Sequence, residues 1–443
     1  MTHHAPAVPG GQPPIDTRRA DTVLRRGPIA RPCRQRTNGT PRTAPVAGIY
    51  GANASGKSNV LDALRWMQWA VETSQTRWAP SAGIPRHPFL LSEQGRSTAS
   101  LYELDFVHDG IRYTYGFEVD DEVVRGEWLH SFPHGRPRRL FERTGPDQDA
   151  YEFSRMLTGE TRRIAKLTRG NALYLSSAAS NNHSLLSALE LKIVTCIQFA
   201  SHDDHDERRR LLVTKLLLRD PAAAADINTL LQLADLGIER AELVKDRLLA
   251  EADERFKRIY RTTSDGSSAP DAGSEPETLS GRIQLRRANS TTALSIEDES
   301  AGTRVWLSII GPVIGALESG SVFVVDEIDS SMHPLLSSSL IRMFKDPEIN
   351  RRGARLLFSS HDTTLLGNLL SEDLLSRDEV WFTEKDGEGA TSLSPLTDFH
   401  PRRNENVERG YLQGRYGAVP YVNLEKVREI FHERRAGPHE HTA

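Results

Sequence analysis

The chain has 443 residues, of which 38% are hydrophobic and 26% charged, with a formal net charge of -4. That balance reads as a soluble globular protein with room for a large core and one to three domains, and it argues against a generally basic nucleic-acid binder. Two cysteines, Cys33 and Cys196, give no disulfide framework and fit a reducing, cytoplasmic setting. No apolar run is long enough to span a bilayer and the N-terminus lacks a signal-peptide core, so no membrane contact is expected and the chain is not a transporter by itself.

In chain order, residues 1–45 are rich in Pro, Gly, Arg and Thr without apolar periodicity and read as a disordered segment. Val46-Ala47-Gly48-Ile49-Tyr50 reads as a buried strand. Gly51-Ala52-Asn53-Ala54-Ser55-Gly56-Lys57-Ser58 matches the phosphate-loop pattern G-x-x-x-x-G-K-[ST]. A helix follows from Asn59. Strand, glycine loop and helix form the context in which the pattern is a site. Glycines let backbone N–H groups wrap phosphate oxygens, and the helix adds its positive end. Lys57 would reach the β- and γ-phosphates, and the Ser58 hydroxyl would hold Mg²⁺.

Residues 80–86 form a loop. Alternating runs at 100–107, 111–119 and 123–129 are strands, with Asp109-Gly110 marking a hairpin. Segments 138–143 and 151–153 extend this antiparallel β-meander. The first lobe of the head is placed at 46–178, a helical insertion at 179–260 and a flexible linker at 261–280. Within the insertion, the cluster from Ser201 to Asp206 could be taken for a metal site but fits a capped, charged helix start better. Another helix spans 226–236, Gly237 caps it, a strand follows at 238–244, and residues 246–260 read as helical.

The second lobe is placed at 281–400. Strands at 282–286 and 292–296 lead through Ser300-Ala301-Gly302-Thr303-Arg304 into a helix ending near Leu317. A hydroxyl, a glycine and a helix N-terminus suit an anion, though an ordinary cap has the same composition. Val322-Phe323-Val324-Val325-Asp326-Glu327 puts two carboxylates at the end of a buried strand. Asp326 suits the Mg²⁺ shell and Glu327 suits a general base that orients water. Leu356-Leu357-Phe358-Ser359-Ser360-His361-Asp362 places His361 at a third strand end, where it can sense the γ-phosphate. A polar tail with a helix near 424–434 occupies 401–443.

This order of motifs resembles the ATP-binding-cassette (ABC-type) ATPases. The likeness is to their non-transporter branch of chromosome-maintenance heads, RecF-like repair proteins and OLD-type nucleases. Asp326 to Pro334 resembles that branch's acidic motif and D-loop. More narrowly, Gly51 to Asn59, Ser360-His361-Asp362-Thr363 and Gly414 to Pro420 resemble the bacterial stand-alone AAA family ATPases of the abortive-infection, phage-defence type. The resemblance runs from about Ala47 to Pro420.

It implies an α/β P-loop NTPase head, with the meander and helical insertion in place of a long coiled coil, and ATP and Mg²⁺ as cofactors. Two heads would sandwich two ATP molecules as a homodimer. Gly51, Asn53, Ala54, Ser55, Gly56, Lys57, Ser58 and Asn59 would bind nucleotide in cis. Ser300 and Gly302 would touch the partner's γ-phosphate, and Asp329 would lie at the seam. Lys57, Glu327 and His361 form the catalytic set. Ser58, Asp326 and Gln94 form the metal set, Gln94 being the candidate for the glutamine that couples Mg²⁺ to the lobes. The stretch before Val46 departs from the family in lacking its opening strand pair. The expected function is a dimeric ATPase that controls a co-encoded effector, with DNA as a possible partner. An ATP-dependent nuclease or a repair ATPase is the alternative, and the scatter of Asp373, Asp378 and Glu379 outside strand ends disfavours the nuclease.

Overall fold

The computed structural model describes residues 44–419 except 202, 235–236, 245–280, 288–289, 291, 368–373 and 403–404, together with 33–37, 40–42, 425 and 428. The expected helix at 246–260, the linker at 261–280 and nearly all of the C-terminal helix lie outside the described residues. Among the described residues no helix is long and apolar enough to cross a membrane.

Strands β1 (Cys33–Thr37) and β2 (Thr40–Arg42) pair antiparallel. They lie within the stretch 1–45 read as disordered and form a two-stranded sheet of their own. Their residues, Cys-Arg-Gln-Arg-Thr and Thr-Pro-Arg, carry no apolar alternation.

The main sheet has six strands in the order β16-β15-β3-β14-β13-β9. Its centre is β3 (Val46–Tyr50), β14 (Arg355–Ser360) and β13 (Val322–Val325). All three are parallel, with Tyr50 opposite Ser360 and Val325 opposite Phe358. Their continuous apolar runs suit a sheet covered on both faces. On one side lies β9 (Ile197–Ala200), parallel to β13. On the other lie β15 (Val380–Lys385), parallel to β3, and β16 (Thr391–Pro395), antiparallel to β15.

Strand β9 falls within the stretch expected to be helical. The residues around it do form helices: α4 (Tyr174–Ser180), α5 (Ser184–Thr195) and α6 (Asp204–Leu217). The strand between them is an edge of the main sheet, so the stretch from 179 is not helical throughout. It is four residues long, and no Gly or Pro marks the change from helix to strand.

The meander is a five-stranded antiparallel sheet in sequence order. It comprises β4 (Ser100–His108), β5 (Ile111–Val119), β6 (Val124–Phe132), β7 (Arg138–Arg143) and β8 (Tyr151–Phe153). The helix after the phosphate loop, α1 (Lys57–Thr73), serves both sheets. Val60, Leu61 and Leu64 pack with the main sheet. Trp66, Met67, Ala70 and Val71 pack with the meander. One amphipathic helix with apolar residues on two faces thus joins the two cores. The remaining helices are α2 (Glu93–Ser97), α3 (Thr161–Leu167), α7 (Pro221–Leu233), α8 (Ala301–Ser319), α9 (Pro334–Lys345) and α10 (Val407–Leu412). A small antiparallel sheet of β10 (Ile238–Val244), β11 (Arg282–Arg287) and β12 (Ala293–Ser295) packs into the same core as α7 and α8.

The meander is locked to α4 by a buried carboxylate. Glu127 on β6 is fully buried and accepts hydrogen bonds from Tyr115 Oη at 2.9 Å and from the backbone N–H groups of Tyr174 and Leu175 at 2.6 and 2.9 Å. The Arg143 guanidinium stands 3.9 Å away and is itself bonded to the carbonyls of Gly145 and Ala172. Burial pushes the Glu127 pKa up, and Arg143 and the helix N–H groups pull against that. Glu127→Ala would leave a buried cation and two helix N–H groups without their partner, at a cost of about 3 kcal/mol or more. The expected result is a clearly lower thermal unfolding midpoint, read by circular dichroism, with Glu127→Gln losing less. An unchanged midpoint would show that the pair contributes nothing.

Candidate nucleotide site

The parallel register decides what meets at the carboxyl end of the main sheet. Tyr50 opposite Ser360 puts Gly51 beside His361. Val325 opposite Phe358 puts Asp326 beside Ser359. The phosphate loop, the acidic pair and His361 therefore converge from three separate parts of the chain.

In the loop, Gly56 has φ 100° and Ala54 φ 62°, both left-handed, so the backbone turns sharply before α1. The N-terminus of the 17-residue α1 has no side-chain cap and no acidic residue in its first turn. Its free N–H groups suit an anion. Lys57 is buried, and its Nζ donates to Gly51 O at 2.9 Å and Ala52 O at 3.2 Å. It also stands 3.5 Å from His361 Nδ1. Burial pulls the Lys57 pKa below the usual lysine value, while Glu327, Asp326 and Asp329 oppose that. A buried ammonium held only by carbonyl dipoles and nearby carboxylates is ready for a stronger anion. Gly51 and Ser55 are buried, Ser58 is half-buried, and Asn53 and Ala54 in the loop and Asn59 in the first turn of α1 are exposed.

The acidic pair is held by a residue that motif reading passed over. Ser359 Oγ, fully buried, donates to Asp326 Oδ1 at 2.5 Å and accepts from the Glu327 N–H at 2.7 Å. Asp326 N donates to Ala200 O of β9 at 2.9 Å. Glu327 itself has φ 52°, a conformation costing a non-glycine residue about 1 kcal/mol or more. Its N–H bond to Ser359 Oγ helps hold it there. The signal for Ser359 was a hydroxyl two positions before His361, at the end of an otherwise apolar strand. His361 N donates to Asp329 Oδ1 at 3.2 Å, which ties the switch histidine to the loop after the acidic pair.

Ser300 caps α8, accepting from Thr303 N at 3.2 Å, and both Ser300 and Ala301 are exposed. A Cβ on Gly302 would meet Ser331 O, at a residue with φ 60°. The α8 N-terminus thus packs on the loop that carries Asp329. Gln94 lies on α2, a five-residue helix before the meander, with its side chain exposed. It is not at the end of a main-sheet strand, and its side chain makes no hydrogen bond among the described residues. The sheet strand that adjoins Asp326 ends instead at Ala200-Ser201. Of the 201–206 cluster, Asp204 to Asp206 open α6, and Asp206 accepts from Ser201 N at 2.7 Å and from Arg210 at 2.9 Å. Among the described residues no group of His, Cys, Asp and Glu could hold a metal by itself.

A phosphate loop on a parallel sheet, with Asp326-Glu327 and His361 at the neighbouring strand ends, is the arrangement of a P-loop NTPase of the ABC-like AAA class. The model for the family described as "AAA domain, putative AbiEii toxin, Type IV TA system" matches residues 46–367, and the chain belongs to that family. A comparison with curated proteins finds no match. Among solved structures the chain is similar to the SMC head domain from Thermotoga maritima, at 14% identity and TM-score 0.33 over 79% of this chain and 89% of that one. It is also similar to an Smc head bound to the C-winged helix domain of ScpA, at 12% identity and TM-score 0.38 over 81% and 93% of the two chains. A third is the Smc head with an extended coiled coil bound to the C-terminal domain of ScpA derived from Pyrococcus furiosus, at 12% identity and TM-score 0.32 over 89% and 94%.

If Ser359 sets the Asp326 carboxylate for Mg²⁺, Ser359→Ala is expected to raise the Mg²⁺ concentration needed for nucleotide binding about tenfold, the scale of one hydrogen bond to a charged group. Titration of a fluorescent nucleotide at varied Mg²⁺ checks this. An unchanged Mg²⁺ midpoint would leave Ser359 a packing residue.

Proposed function

We propose that this protein binds ATP with Mg²⁺ at the phosphate loop, hydrolyses it, and uses the cycle to open and close a head-to-tail homodimer that controls a partner. The observation that carries the proposal is the meeting of Lys57, Asp326-Glu327 and His361 at one end of the sheet, with Lys57 Nζ 3.5 Å from His361 Nδ1.

In this reading the loop N–H groups and Lys57 hold the phosphates, with Asn53, Ala54 and Ser55 of the loop and Asn59 of α1 around the nucleotide. Ser58 and Asp326 would hold Mg²⁺, which neutralises charge on the phosphates. Glu327 accepts a proton from the attacking water, and His361 holds that water near the γ-phosphate. Hydrolysis of the nucleotide is the reaction that a lysine, an acidic pair and a histidine around a phosphate loop support.

At the N-terminus of α8, Ser300 and Ala301 are exposed, and Gly302 packs on Ser331 in the loop after the acidic pair. That supports Ser300 and Gly302 acting on the ATP of a second copy, with ATP joining the two heads. The family description names a type IV toxin–antitoxin system. It supports a partner protein encoded with this one, an effector or its antidote, and a role in phage defence in the cytoplasm.

Glu327→Gln tests both halves. The amide cannot take the proton, so turnover is expected to fall at least a hundredfold while ATP binding persists. The ATP-bound dimer is then expected to accumulate, seen by light scattering on a sizing column. Normal turnover would remove Glu327 as the base. A non-hydrolysing variant that stays monomeric with ATP would reject the ATP-joined dimer.

A further inference from the structure

The phosphate loop is held from behind by a hairpin that lies beyond the residues matching the family. The family match ends at residue 367, and β15 and β16 span 380–395. Strand β15 runs parallel to β3, with Phe382 opposite Tyr50, so Thr383 continues alongside Gly51. Thr383 and Thr391 are buried. The Thr383 hydroxyl is 2.6 Å from Ser55 Oγ and 3.3 Å from Tyr50 O. The Thr391 hydroxyl donates to Ser55 O at 3.0 Å.

The same two side chains fill the space where the loop glycines have no Cβ. A Cβ on Gly51 would collide with the Thr383 and Ser55 hydroxyls, and one on Gly56 would collide with Thr391. Glycine at these positions therefore answers to the hairpin as well as to the phosphates. Behind the hairpin, Phe382 stacks between Tyr411 and Tyr416, at ring-centroid distances of 5.4 and 5.3 Å. Tyr416 belongs to the Gly414–Pro420 motif, so that motif supports the hairpin.

We infer that Thr383 and Thr391 are positioning residues for nucleotide binding, fixing the loop backbone through Ser55 so that its N–H groups converge on phosphate before the ligand arrives. The inference rests on the ATP-binding reading above, but the shape of the loop can be measured without nucleotide. A loop left to choose among conformations would spend part of its binding energy on ordering itself. Thr→Val keeps the shape of each side chain and removes the hydroxyl.

The test takes the full chain with Thr383→Val, Thr391→Val and the conservative Thr391→Ser. Hydrogen exchange of amides 51–58 is measured without nucleotide, and binding of a fluorescent ATP analogue is measured with Mg²⁺. Each Val variant is expected to speed exchange in the loop about tenfold while the strands β13 and β14 keep their protection, and to raise Kd about fivefold, the scale of one buried hydrogen bond. Thr391→Ser is expected to match the wild type in both. Unchanged loop exchange, exchange that rises equally across the sheet, unchanged Kd beside a wild type that binds, or failure of Thr391→Ser to restore would each overturn the inference. A wild type that binds no nucleotide, with loops that still loosen in the Val variants, would defeat the ATP reading and leave the hairpin's hold on the loop standing.

Discussion

The backbone hydrogen bonds that keep β3, β14 and β13 parallel and in register are the constraint on which the rest depends. Gly51, Asp326 and His361 are far apart in the chain. Each is the first residue beyond a buried strand, and the register brings those first residues together. A slip of one residue between β13 and β14 would part Asp326 from Ser359, and one between β3 and β14 would part Gly51 from His361. The runs Val322–Val325 and Leu356–Phe358 are apolar without alternation because both faces of the sheet are covered. The left-handed turn at Glu327 is held by a hydroxyl of the neighbouring strand.

Around this sheet the fold couples parts that need not have been coupled. Helix α1 begins at the phosphate loop and ends beneath the meander, so its N-terminal and C-terminal halves answer to different cores. The buried Glu127 ties the meander to α4. On the opposite flank the β15–β16 hairpin grips the loop through Ser55. The loop is thus held on one side by the helix it leads into and on the other by the hairpin.

Most of this site was legible in the sequence because its signals are local. The phosphate loop is a contiguous pattern, and the Asp-Glu and His motifs each follow an uninterrupted apolar run. The Asp109-Gly110 hairpin and the meander followed from alternation and turn chemistry. What stayed hidden depends on contacts between distant residues. Strand β9 is four residues long and sits between helices without a breaker. Ser359, Thr383 and Thr391 carry hydroxyls whose roles exist only once the strands are side by side. The pair β1–β2 has no apolar alternation to reveal it. Gln94 was chosen by residue type, and type alone did not bring it to the end of a sheet strand.

The most direct measurement is a crystal structure with a non-hydrolysable ATP analogue and Mg²⁺. The account predicts that Lys57 Nζ leaves the carbonyls of Gly51 and Ala52 for the phosphates, with Mg²⁺ between Ser58 and Asp326 and the α8 N-terminus of a second copy facing the γ-phosphate. A nucleotide bound elsewhere, or Lys57 still on those two carbonyls with the analogue present, would contradict it.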